Sequence, residues 1–95
     1  MHADEEDYSE RFSDLQIFPN PASGQVSLIW SQEHSAPVTI LVYDVFGKEK
    51  IRIGDNAMQG ANSIILDVSP LIPGNYLVEV KTNEITSTQR IVIIN

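Results

Sequence analysis

At 95 residues, 42% of them hydrophobic and 7% aromatic, the chain has room for one folded domain and little apolar surface beyond its own core. A formal net charge of −7 repels a phosphate backbone and an anionic lipid surface, which argues against nucleic-acid binding and lipid docking. With 0 cysteines, thiolate catalysis, disulfide staples and Cys-based zinc sites are excluded.

The first segment is acidic. Asp4, Glu5, Glu6, Asp7, Glu10 and Asp14 face only Arg11 over residues 1–14. Such a self-repelling stretch has too few apolar residues to offset its ordering entropy and is expected to be a flexible linker. Spaced ligands and the glycine of a calcium loop are missing from it. The amino terminus also lacks the basic and apolar regions of a signal peptide. An exported chain would then take its signal from a longer precursor, with Met1 a start codon added to a fragment. No apolar run approaches the roughly 18 residues of a membrane span.

From Leu15 on, short runs rich in Val and Ile alternate with polar residues and are divided by Gly, Pro, Asn and Asp, a β pattern. The first strand is expected at Leu15–Phe18, followed by the stiff corner Pro19-Asn20-Pro21, where two prolines set φ and bias their predecessors away from helix. Next come Gln25–Trp30, the turn Ser35-Ala36-Pro37 and Val38–Tyr43. Phe46-Gly47-Lys48 forms a hairpin turn in which Gly47 takes φ > 0 and Asp44 can bond its own backbone. The later strands are Glu49–Ile53, Ser63–Val68, Tyr76–Lys81 and Thr86–Ile94. Between them lie turns at Gly54-Asp55-Asn56, Pro73-Gly74-Asn75 and Thr82-Asn83-Glu84. Gly74 is expected at positive φ, leading Tyr76 inward with its hydroxyl near a turn, in the manner of a tyrosine corner.

Seven short strands without helical spacing predict an all-β, immunoglobulin-like antiparallel sandwich over residues 15–95. Alternation assigns Val26, Leu28, Trp30, Val38, Ile40, Val42, Leu66, Val68, Tyr76, Val78, Val80, Ile91 and Ile93 to the core. Ser27, Thr39, Asp67, Glu79 and Lys81 should face water. A surplus of apolar residues, Ile29, Leu41, Ile65, Leu77, Val92 and Ile94, falls on outer faces, where single exposures are ordinary.

The chemical inventory is thin. His2 lies in the acidic leader and His34 in a polar turn, neither held against an orienting carboxylate. The carboxylates from Glu33 onward form no paired motif, and Gly24, Gly47, Gly54, Gly60 and Gly74 are isolated punctuation without a phosphate-cradling loop. The expectation is a non-catalytic module with no cofactor, no metal, no small-molecule substrate and no nucleic-acid partner.

Four motifs in order carry more. Ile17-Phe18-Pro19-Asn20-Pro21-Ala22-Ser23-Gly24-Gln25-Val26, Val38–Lys48 with its Tyr43-Asp44-Val45-Phe46-Gly47, Gly60-Ala61-Asn62 with Leu66-Asp67-Val68-Ser69, and Gly74-Asn75-Tyr76-Leu77-Val78-Glu79-Val80 together resemble the carboxy-terminal sorting domain of the type IX (Por) secretion system. The resemblance runs from about Leu15 to Asn95. It implies a signal for protein transport, read by an outer-membrane translocon, on a cargo that crosses the periplasm and ends at the cell surface or secreted. It also implies a sortase-like peptidase that removes the domain in many members, and residues 1–14 suit that cleavage. The family's terminal recognition segment, a basic residue before an apolar run, corresponds to Arg90 and Ile91-Val92-Ile93-Ile94, with Asn95 standing where many members carry Lys or Arg.

Candidate recognition residues are therefore Pro19, Asn20, Pro21, Gly47, Gly74, Tyr76 and the segment Arg90–Asn95, with strand addition to a receptor the expected mode at that segment. For Pro, Gly and the core aromatic, maintaining the fold outweighs touching a receptor. The oligomeric expectation is a monomer or a weak dimer through edge strands. The alternative function is a carbohydrate- or protein-binding accessory module of a secreted enzyme; such a site needs an exposed aromatic platform, and with Trp30 and Tyr76 expected in the core, Tyr43 and Phe46 are too few to make a flat one.

Overall fold

The computed structural model describes residues 15–83 and 86–95; the expected acidic linker, residues 1–14, and Glu84 of the last turn lie outside them. The described residues form seven strands: β1 Gln16–Phe18, β2 Gln25–Gln32, β3 Ala36–Asp44, β4 Glu49–Ala57, β5 Gly60–Asp67, β6 Gly74–Lys81 and β7 Thr86–Ile93. They make one sheet of order β1-β2-β5 and another of order β4-β3-β6-β7, with every strand pair antiparallel. This three-plus-four Greek key is an immunoglobulin-like sandwich. The chain changes sheet between β1's pairing partner β2 and β3, between β4 and β5, and between β5 and β6; β3–β4 and β6–β7 are hairpins.

Alternation along the strands builds the core. Val26, Leu28 and Trp30 from one sheet meet Val38, Ile40, Val42, Val78 and Val80 from the other, and all are at most 3% exposed. Each such Leu or Ile contributes on the order of 1.5–3 kcal/mol by leaving water. Leu15, Ala22, Ala57 and Leu71 join the cluster from the strand ends and connections.

Trp30 brings a polar group inside, and the structure satisfies it through the residue two positions on. Its Nε1 donates to Oε1 of Gln32 at 2.7 Å, and the Gln32 Nε2 donates to the His34 carbonyl at 2.8 Å. Gln32 is only 6% exposed, so β2 runs past Trp30 to end on this amide relay. A buried amide left without partners would cost about 1–3 kcal/mol.

Three details differ from the sequence expectation. Gly54-Asp55-Asn56 is no turn: β4 continues through it to Ala57, paired with Ala36–Thr39 of β3, and the chain reverses at Met58-Gln59. Turn-forming residues are tolerated there because β4 is an edge strand and only one of its sides must pair. Pro37 lies inside β3 for a related reason: it pairs with Asn56 of β4, while the β6 ladder begins only at Thr39, so its missing N–H costs nothing on that side. Leu41, on the outer face, is 4% exposed. It is flanked in register by Arg52 and Glu79, whose long side chains share that face.

Candidate recognition surface

The segment between β1 and β2 crosses from one sheet to the edge of the other, and Asn20 and Ala22 attach it there. The Asn20 Nδ2 donates to the Arg90 carbonyl at 3.2 Å, and its Oδ1 accepts from the Val92 amide at 2.9 Å. The carboxamide thus occupies the place of a neighbouring peptide group. One step on, the Ala22 amide donates to the Val92 carbonyl at 2.8 Å and its carbonyl accepts from the Ile94 amide at 2.9 Å, a parallel bridge centred on Ile93. Pro19 and Pro21, both exposed and both preceded by cis peptide bonds, flank Asn20.

Asn95 holds the same corner from the other direction. Its Oδ1 accepts from the Gly24 amide at 2.9 Å, and its Nδ2 donates to the carbonyls of Val68 at 2.8 Å and Leu71 at 2.7 Å. The Gly24 carbonyl in turn accepts from the Val68 amide at 2.8 Å. Gly24 sits at φ +83°, a conformation that L side chains rarely adopt, which turns its amide toward Asn95. A residue at position 95 must accept once and donate twice. Asn does both with one short group, whereas the side chain of a Lys or Arg has no acceptor.

At the same end of the sandwich, the β3–β4 hairpin is organised by Asp44. Its Oδ1 accepts from the amides of Phe46 and Lys48, each at 2.9 Å, and Gly47 turns the chain at φ +84°. These bonds, that of Lys48 foremost, hold the Asp44 carboxyl below the usual carboxylate range. Asp67 ends β5 in a similar way, held low by the Ser69 hydroxyl and amide. Tyr76 is buried, and its hydroxyl donates to the Ile72 carbonyl at 2.5 Å, a tyrosine corner closing the loop before β6. Gly74, at φ +156°, starts that strand.

The outcome is an end face rich in apolar side chains. Val45 is 64% exposed, Phe46 90%, Ile72 74% and Ile94 58%. A shallow groove of about 210 Å³ separates the Asp44–Phe46 turn from the Ile72–Tyr76 loop. Tyr43 and Phe46 do not make one platform. Phe46 projects from the turn, while Tyr43 lies on the outer face of the four-stranded sheet, in register with Leu77. A hydrogen bond to Glu79, then burial and the nearby Glu79 and Glu49 charges, push the Tyr43 hydroxyl up to about 12.

The twelve candidate residues thus divide by place. Pro19, Asn20, Pro21, Gly47, Gly74, Tyr76 and Asn95 gather at this end, and Arg90–Ile94 lies along the strand edge beneath it. Ile91 and Ile93 are core, at most 1% exposed. The Arg90–Ile94 edge is already bonded by Asn20 and Ala22, so addition of a receptor strand at that segment would require the entry segment to leave it. Two contributors were missed in the sequence. Ala22 reads as a small residue in a loop, and Asp67 as a water-facing carboxylate. The adjacent Ser69, two residues after an Asp, was the available sign of a turn.

The sequence matches the family model described as a secretion system C-terminal sorting domain, over residues 16–94. The chain belongs to that family. It is a sorting signal of the type IX secretion system, a non-catalytic tail family, and a protein that carries such a domain is exported across the outer membrane to the cell surface or secreted. Among solved structures, the domain is similar to dimeric latent PorU from Porphyromonas gingivalis, with TM-score 0.69 and 15% identity, covering 85% of this chain and 9% of that one. It is also similar to the β-glucosidase EmGH1 from Erythrobacter marinus, with TM-score 0.52 and 12% identity, covering 87% of this chain and 15% of that one. At these identities the likeness shows the sandwich fold. The sorting domain therefore spans only a small fraction of the solved chains that it matches. No match was found among curated proteins.

Proposed function

We propose that the sorting domain is recognised as a folded body, through the end face that carries Val45, Phe46, Ile72 and Ile94 around the Asn20–Asn95 corner. The observation that carries this reading is the concentration of exposed large apolar side chains at the end where the motif residues meet. The motif residues act on that surface indirectly: Asn20 and Asn95 seat the entry segment, Gly47 and Asp44 present Phe46, and Tyr76 fixes the loop carrying Ile72. The outer-membrane translocon of the type IX system is the partner for this face, reached from the periplasm. A sortase-like peptidase is the partner for residues 1–14, an acidic stretch suited to cleavage after export. The domain performs no reaction of its own and takes no cofactor, and the cargo it directs lies on the amino-terminal side.

The test is a reporter with an amino-terminal signal peptide fused ahead of residues 1–95, expressed in a type IX-competent host. The parent fusion is expected at the cell surface or in the medium, and the Phe46→Asp/Ile72→Asp fusion in the periplasm, folded. Export of the double variant at the parental level would overturn the assignment of this face. Periplasmic retention of the parent fusion would overturn the export role of the chain.

A further inference from the structure

Two sheets have four edges, and the sandwich protects them unequally. β1 is three residues long and stops at Pro19, too short to serve as a template. β4 carries Glu49, Lys50, Arg52 and Asp55, charges that oppose pairing. β7 has its Arg90–Ile94 edge occupied by Asn20 and Ala22, which leaves only Thr86 and Thr88 ahead of that cover facing outward. β5 has none of these devices. Its eight residues, Gly60–Asp67, include no proline and no charge before Asp67.

The hydrogen-bond phase of that edge follows from one bond. The Val68 amide donates to the Gly24 carbonyl, so alternation along the antiparallel β2–β5 ladder turns the backbone groups of Gly60, Asn62, Ile64 and Leu66 toward β2. The amides and carbonyls of Ala61, Ser63 and Ile65 therefore face the open side. Ile65 also leaves its side chain 64% exposed beside them.

We propose that this edge pairs antiparallel with the same edge of a second copy, with Ser63 opposite Ser63 on a two-fold axis, joining two three-stranded sheets into one of six. That register sets Ile65 of each copy against Ala61 of the other, apolar on apolar, and keeps the two Asp67 carboxylates at opposite ends of the ribbon. The β4 strands brought near one another each carry two acids and two bases, a neutral balance. The pairing specifies which edge underlies the weak association expected from sequence, and it does not depend on the export role.

Sedimentation equilibrium of the 95-residue chain between about 10 μM and about 1 mM tests it. A monomer–dimer equilibrium is expected, tightening as salt rises from about 0.05 M to about 0.5 M, because two bodies of like charge must approach. Ser63→Pro removes only an outward amide, so the variant folds and its association weakens by at least about tenfold; Ser63→Lys, which sets two ammonium groups face to face, should do the same. As the chain has no cysteine, Ser63→Cys reports the register: hydrogen-bonded antiparallel pairs stand about 5.5 Å apart at Cα, within disulfide reach. Oxidised Ser63→Cys should therefore run as a covalent dimer, and Ala61→Cys, offset along the strand from its own counterpart, should not. A chain monomeric at about 1 mM, a dimer indifferent to both Ser63 substitutions, or Ser63→Cys that stays monomeric on oxidation would overturn the proposal.

Discussion

One flank of the sandwich is sealed and the other is open. On the sealed flank, β7 is covered by the entry segment, with the Asn20 carboxamide standing in for a peptide group and Asn95 tying Gly24 to Val68 and Leu71. On the open flank, β4 and β5 end the two sheets with a crevice of about 100 Å³ between them, walled by Trp30, Val38, Asn56 and Ser63. The difference teaches that edge protection here has two chemical forms. Where the strand is apolar, as at Ile91–Ile94, side-chain amides and a crossing backbone cap it; where it is exposed and charged, as in β4, the charges alone serve.

Hydrogen exchange should show the contrast at its largest. In dilute solution the amides of Val92 and Ile94, bonded to Asn20 and Ala22, are expected to exchange only on opening of the flank, orders of magnitude more slowly than those of Ala61, Ser63 and Ile65. Equal rates would dissolve the distinction. Next in size is a core comparison by chemical denaturation. Ile93→Ala, at 1% exposure under the sealed edge, should cost about 2–5 kcal/mol. Ile65→Ala on the open flank should stay within about 0.5 kcal/mol in the monomer.

A third comparison sets one amide clamp against another. Asn95→Ala leaves the part-buried Val68 and Leu71 carbonyls without their donor and should lose about 1–3 kcal/mol, while Asn62→Ala, whose bonds to Met58 and Gly60 are exposed, should lose about 1 kcal/mol or less. The reverse order, read from denaturation midpoints at constant slope, would mean that the open flank is the better secured. The smallest effect is in acid. Asp44 and Asp67 are both held below the usual carboxylate range. Each adds stability that is complete above the unfolded value near about pH 4 and lost as pH falls through the lower native value. Asp44→Asn, which keeps an acceptor without the charge, should flatten the decline in melting temperature below about pH 4.

Much of the core was legible from period-two alternation. The thirteen side chains assigned inward, from Val26 to Ile93, are all at most 3% exposed, because one buried face per strand leaves little freedom in register. Turn chemistry was legible where the turn is local, as at Asp44–Lys48, whose bonds close within five residues. It misled at Gly54-Asp55-Asn56, because turn propensity cannot distinguish a reversal from an edge strand with one side unpaired. Leu41 lies on the outer face as its position in the alternation requires, but its burial there was not legible, because its neighbours in register, Arg52 and Glu79, are set beside it only by strand pairing.

By itself, the sequence determined the seven-stranded sandwich, its inward faces and the order of motifs that marks a sorting domain, because those follow from local geometry and from spacing along one chain. Tertiary structure alone decided what Asn20, Ala22 and Asn95 do. Their partners lie some seventy residues away for Arg90, Val92 and Gly24, and an amide in a loop carries no sign of which distant backbone groups it will satisfy. It also decided which strand edge stays open, since an edge is a property of the assembled sheet: the residues of β5 are unremarkable as a string, and become a pairing surface only once the other three edges are covered, charged or cut short.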